Sequence, residues 1–232
     1  MVTDGERREV RAGVARRLAQ VGAGLLAYAA LLLGCAGRPT WGWGWAYLAA
    51  TLCVVAVNAR VMPPELVAER GRSKAGARAW DRALTRIGAV PYLALPAVAG
   101  LDERWRLSPE MPAAAHLAGL AAFLLGQGLF TWAVASNRFF STAVRIQADR
   151  GHTVQTGGPY AFVRHPGYAG AGAATLASPL ALGSWWALVP AAATAAILVA
   201  RTALEDRMLR AELPGYEAYA RRVRWRLVPG VW

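Results

Sequence analysis

Between Gly151 and Tyr168 the chain concentrates side chains able to bind and orient a charged small molecule. They are His152, Tyr160, Arg164, His165 and Tyr168, interleaved with Gly157, Gly158, Pro159 and Pro166. Further on, Glu205 and Asp206 stand side by side. An arginine presents a planar fork of donors that matches a carboxylate or phosphate, and paired acids can hold a cation such as an amino group. His165 precedes Pro166, and proline is well tolerated at the first helical position. A histidine there feels the positive end of the helix dipole, which favours its neutral, hydrogen-bonding form. The plainer reading also fits the spacing: Arg201–Glu205 and Asp206–Arg210 are i,i+4 pairs on a solvated helix, and Arg164-His165 is a headgroup contact at a helix start.

The elements that must position these residues are apolar. Of 232 residues, 56% are hydrophobic, and charge falls in blocks separated by long uncharged gaps. The gaps hold 20 residues between Arg17 and Arg38, 21 between Arg38 and Arg60, 15 between Arg86 and Asp102, 27 between Glu110 and Arg138, and 35 between His165 and Arg201. At about 1.5 Å per helical residue, each of the first four suits one crossing of a hydrocarbon layer roughly 30 Å thick. The fifth is too long for one crossing and should turn back on itself near residues 178–184. The expectation is an all-α polytopic membrane protein with about six transmembrane helices, the last two a hairpin, followed by C-terminal cytoplasmic helices.

The net charge of +12 is one-sided. With both termini on one face, that face carries 23 of the 26 basic residues, which the positive-inside rule makes cytoplasmic. Trp41, Trp43, Trp45, Trp185 and Trp186 fall at the opposite ends of the crossings, as interfacial belts do. Charge disposed in this way suits anionic lipid headgroups and argues against nucleic acid. The expected location is a bacterial-type inner or plasma membrane, with both termini cytoplasmic. Cys35 and Cys53 lie inside predicted crossings at opposite depths and are read as packing residues, not as a disulfide. Residues 1–17 are charged and the apolar run after them lacks a cleavage site, so no cleavable signal peptide is read.

In order, residues 1–17 form an amphipathic lead-in along the inner surface, 18–135 a four-helix scaffold, and 136–232 the module holding the polar stretch, the terminal hairpin and a tail. Residues 60–86 are read as an inner loop, the second crossing being stopped by Pro63 and Pro64; Glu65 or Asp81 reaching into the site is the competing idea. Pro91 and Pro96 should bend the third crossing. Glycines at 119, 126 and 128 mark close helix packing in the fourth. His116 is read as an interfacial residue without function. Pro214-Gly215 ends a helix that continues past Arg201, and Tyr216 to Arg226 is a basic aromatic tail against the membrane surface. No phosphate loop, metal-ligand spacing or dinucleotide fingerprint occurs, and no serine sits in a nucleophile elbow.

The ordered set Gln147…His152-Thr-Val-Gln-Thr-Gly-Gly-Pro-Tyr160…Arg164-His-Pro-Gly-Tyr168, then Glu205-Asp206 and Tyr216…Tyr219, resembles the isoprenylcysteine carboxyl methyltransferase-like family of integral membrane methyltransferases. Phospholipid methyltransferases share its Arg-His-Pro-x-Tyr and paired-acid parts. The likeness covers roughly residues 136–232. It implies S-adenosylmethionine bound at the cytoplasmic side, with His152, Val154, Tyr160, His165, Tyr168 and Glu205 lining its site. Gln147, Gly158 and Asp206 complete the candidate cofactor set, and Arg164 and Glu205 are the candidate catalytic residues. Where the family usually carries a second glutamate, this chain has Asp206, with a shorter reach.

Methyl transfer from a sulfonium dissipates charge, so alignment and desolvation can supply most of the rate. Arg164 would orient an anionic acceptor, with a carboxylate favoured because its oxygen needs no general base; amine and thiol acceptors stay open. A lipophilic acceptor would arrive from the bilayer and the cofactor from the cytosol. Two other readings compete. Membrane sterol reductases, which use NADPH, resemble the same C-terminal arrangement, but their usual Asn is Gly167 here and no acid follows it nearby. A non-catalytic lipid-binding or transport protein would instead place polar groups at the bilayer midplane.

Overall fold

The computed structural model describes residues 4–71 and 76–232. Residues 1–3 and 72–75, which the sequence assigns to the lead-in and the inner loop, lie outside the described residues. Among the described residues the protein is all-helical: α1 (Asp4–Ala36), α2 (Gly42–Val61), α3 (Pro64–Gly71), α4 (Ala79–Trp105), α5 (Ala113–Ser136), α6 (Pro166–Leu182), α7 (Leu188–Glu212) and α8 (Tyr216–Arg222). Five of these, α1, α2, α4, α5 and α7, are long and apolar enough to cross a membrane. The sequence reading counted six crossings; the remaining hairpin arm, α6, has 17 residues, about 26 Å of helix.

The lead-in differs from expectation. Residues 4–17 are the first turns of α1, one unbroken 33-residue helix, rather than a separate surface segment. Arg16-Arg17-Leu18-Ala19-Gln20 are all good helix formers, so nothing interrupts the helix where the charges stop. The expected loop at 60–86 likewise contains a helix, α3, which lies across the start of α1. There the chains meet through glycine: a Cβ on Gly13 would come within 2.7 Å of the Ala68 side chain, and one on Gly71 within 2.6 Å of the Gly13 carbonyl oxygen.

The tightest pairing joins α5 to α6. A Cβ on Gly119 would stand 2.3 Å from the Ala181 nitrogen, and one on Gly126 2.7 Å from the Ala174 nitrogen. A Cβ on Gly170 would stand 2.5 Å from the Gly126 oxygen. Small residues spaced along one face let two backbones approach where lipid offers no hydrophobic drive. The hairpin turns where expected. Gly183 ends α6 in the left-handed conformation, which glycine adopts without the Cβ penalty.

Two cores result. One lies along the bundle and includes Leu32, Tyr47, Leu95, Phe123 and Ala181. Trp41 belongs to it, only 6% exposed, so of the expected belt Trp45, Trp185 and Trp186 are the exposed members while Trp41 packs on Gly44. His116 is buried too, not interfacial: its Nδ1 lies 2.9 Å from the Ala181 carbonyl and its ring stacks on Trp43 at 4.3 Å. Cys35 and Cys53 are free thiols. The second core gathers Ala133, Val144, Tyr160, Met208, Leu209, Tyr216, Tyr219 and Val223. The tail from Tyr216 is therefore folded into protein, with α8 as one wall, and is not merely laid along a surface.

Candidate active site

The second core roofs a cavity of about 600 Å³. Its wall takes residues from α1, α3, α4, α5, the 137–165 connection, α6, α7 and α8, so it extends well before residue 136. Of the residues singled out in the sequence, Gln147, His152, Val154, Tyr160, Arg164, His165, Tyr168 and Glu205 line it. Gly158 and Asp206 stand behind it.

Asp206 is the hub beneath the floor. It is fully buried and its two oxygens serve five groups. Arg164 grips it with Nε at 2.7 Å and Nη2 at 3.0 Å. Arg226 and Arg210 donate from Nε at 2.9 and 3.3 Å. The Tyr216 hydroxyl donates at 3.1 Å, and His165 Nε2 lies 3.3 Å away. Nη1 of Arg164 donates to the carbonyls of Val223 and Arg224, while the backbone N–H groups of Arg164 and His165 donate to the carbonyls of Trp225 and Arg226. The Arg-His-Pro segment is thus stitched to the tail across α7. Four of the five Arg164 N–H groups are consumed in this way, so the guanidinium selected from the sequence as the acceptor's clamp is occupied by the protein itself. A buried carboxylate with this many donors holds its site in one geometry and would leave uncompensated charge if a partner were lost.

Glu205, one residue earlier, faces the cavity. The Tyr168 hydroxyl donates to its Oε2 at 2.5 Å, and no arginine or lysine among the described residues stands within ion-pair distance of it. The expected Arg201–Glu205 pair is not what forms. Arg201 instead donates from Nε to Asp81 at 2.7 Å and from Nη2 to the Thr142 carbonyl at 3.1 Å, and its guanidinium lies over the Tyr168 ring at 5.4 Å. Asp81, 1% exposed, also accepts the Val144 N–H at 2.9 Å. The acid from the expected inner loop therefore serves the site from beneath, holding Arg201 and the 142–144 strap together.

The opposite wall is pinned by Gln147. It is buried, donates to the Phe139 carbonyl and accepts from Arg150, both at 2.5 Å. Its backbone N–H donates to Nδ1 of His152 at 3.3 Å. With Nδ1 accepting, the His152 proton sits on Nε2, free to donate to a ligand. Burial, then the charges of Arg145 and Arg150, hold the His152 pKa below the usual imidazole value. Tyr160 is spoken for: its hydroxyl donates to the Ala133 carbonyl at 3.3 Å and accepts from Asn137 at 3.2 Å, and burial raises its pKa. Gly158 has φ +60°, and a Cβ there would strike Ser136 Oγ at 2.5 Å. It turns the chain against the end of α5.

This arrangement presents a lone carboxylate, a neutral imidazole donor and an aromatic wall, the helices that carry the carboxylate and its tyrosine being fixed by buried ion pairs and the imidazole by the Gln147 N–H. Residues 114–213 match the model of the phospholipid methyltransferase family. The matched stretch runs from α5 through α7 and so includes both the His152-to-Tyr168 connection and Glu205-Asp206. It bears out the resemblance drawn from the motifs, and it points to a membrane methyltransferase. No curated protein matches the chain. The phospholipid methyltransferase match stops short of α1 to α4, and two residues that sequence reasoning passed over, Arg17 and Arg70, line the cavity from exactly that unmatched part.

Proposed function

We propose that the protein is an integral membrane methyltransferase that uses S-adenosylmethionine and acts on a lipophilic acceptor delivered from the bilayer. The observation carrying this reading is Glu205: a carboxylate on the wall of the cavity whose hydrogen-bond partner is a neutral tyrosine, within the stretch that matches the family. A carboxylate so placed is suited to a ligand cation. The cavity volume falls within the range of small-molecule sites, and its walls offer groups of both signs, as a zwitterionic cofactor requires.

S-adenosylmethionine, when bound, supplies a methyl group on a positively charged sulfur. Glu205 would hold its amino group, with Tyr168 fixing the carboxylate's orientation from below. Nε2–H of His152 would donate to an acceptor atom of the same ligand, and Val154 and Tyr160 would pack against it. His165, Arg164 and Asp206 act through position: they lock the start of α6 to α7 and the tail, so that Tyr168 and Glu205 meet. The roof of Tyr216, Tyr219, Leu209 and Leu213 would shield a bound ligand from water on that side, and fixed dipoles act more strongly where water is displaced. The side carrying the basic blocks is the cytoplasmic one in this reading, and α6 is the sixth crossing.

Calorimetry on detergent-purified protein tests the reading. S-adenosylmethionine should bind and NADPH should not; tight NADPH binding with no S-adenosylmethionine binding would favour a reductase instead.

A further inference from the structure

Arg70 is only 9% exposed, and among the described residues its Nη1 has no hydrogen-bond partner. A buried, unsatisfied guanidinium is costly. Its contacts are aromatic: the cation lies 5.2 Å from the Phe140 ring centre and 5.8 Å from that of Phe130. Such faces attract a cation but do not neutralise it. A second guanidinium, Arg17, is brought alongside where the end of α3 packs on α1, a Cβ on Gly71 standing 3.1 Å from Arg17 Cβ. Burial, then the Arg17 charge, push the Arg70 pKa down to about 10. Two like charges held together in an apolar corner of the cavity leave a place for an anion.

A second cavity, of about 300 Å³, continues from that corner. Arg17 and Gln20, one turn apart on α1, line both spaces. Beyond them the second cavity is walled by Val21, Leu25, Tyr28, Val55, Leu95 and Phe123. Two of its three tyrosines, Tyr28 and Tyr47, are bonded to each other and to the protein, with the Tyr47 hydroxyl 2.9 Å from Ser178 Oγ and 3.4 Å from the Tyr28 hydroxyl. This leaves their rings as the surface on offer.

We infer that Arg70 and Arg17 seat the oxyanion of an amphipathic acceptor whose apolar part lies in the second cavity, its reacting group reaching towards Glu205 and Tyr168. The inference rests on the methyltransferase reading for the word acceptor, but the binding site stands on its own geometry. A phosphate and a carboxylate both match an arginine fork, so the source is either a phospholipid headgroup or a lipophilic acid.

The test is calorimetry with the full chain in uncharged detergent, titrating dodecyl phosphate, laurate and, as the uncharged control, dodecanol. Binding of dodecyl phosphate or laurate should weaken at least tenfold in Arg70→Gln and partly recover in Arg70→Lys, with dodecanol binding and S-adenosylmethionine affinity unchanged. Phosphate binding alone assigns the site to phospholipid, laurate binding alone to a lipophilic acid, and both support the class. Equal binding of all three probes, or anion binding indifferent to Arg70→Gln, overturns it. If Arg70→Gln fails to fold, Leu25→Trp reads the same site: it should abolish the preference for dodecyl over hexyl phosphate, and a retained preference overturns the proposal. Loss of S-adenosylmethionine binding in the unaltered protein would sink the methyltransferase reading while leaving the anion seat intact.

Discussion

Arg164 grips Asp206 with two parallel hydrogen bonds, at 2.7 and 3.0 Å, and neither side chain meets solvent to any useful extent. Removing one partner of such a pair strands the other charge. Asp206→Ala should lower stability by about 3–5 kcal/mol, read as a fall in the thermal unfolding midpoint in detergent. Arg164→Lys, which keeps the charge but not the fork, should fall between. An Asp206→Ala protein of normal stability that had lost only cofactor affinity would make Asp206 a ligand contact.

Glu205 stands next to Asp206 but has the opposite character, facing the cavity with the Tyr168 hydroxyl as its partner. Glu205→Gln should therefore leave folding intact and weaken S-adenosylmethionine binding about ten- to a hundredfold, the worth of one charged hydrogen bond. Tyr168→Phe should weaken it less. Equal affinity in Glu205→Gln would remove the basis of the proposed site.

His152 sets a pH limit. Its pKa is lowered in the folded protein, so the unfolded chain takes up the proton first as pH falls. The stability it contributes is present above about 6.5, the unfolded value, and is lost as pH drops from there towards the lower folded value. Protonation also puts a hydrogen on Nδ1, where the Gln147 N–H now donates. Cofactor affinity measured by calorimetry should decline as pH falls below the usual imidazole range, and in His152→Gln that decline should flatten.

The α5–α6 interface tolerates no added atom. Gly126→Ala would place a methyl 2.7 Å from the Ala174 nitrogen and 2.8 Å from the Gly170 oxygen, both backbone. Overpacking of this kind costs about 1–3 kcal/mol, visible as a lower unfolding midpoint. Gly128→Ala, with nothing within 4 Å, should be neutral, and equal effects at the two positions would refute the packing.

By itself the sequence determined the helical class, the long apolar helices, a hairpin turn near residues 178–184 and eight residues that line the cavity, because these depend on local spacing and on polar residues clustered between apolar runs. It could not rank those residues. Glu205 and Asp206 are neighbours with the same chemistry, and only the packing of α7 against Arg164, Tyr216 and Arg226 turns one inward as a hub and leaves the other facing the cavity. The same holds for the arginines. Arg164 carries the recognisable motif but is consumed by the fold, whereas Arg70 sits in an unremarkable charged stretch and becomes an open cation only because α3 lies across α1 beside Phe130 and Phe140. Whether a charge is spent on structure or left for a ligand depends on contacts between residues far apart in the chain, and those are set by tertiary packing.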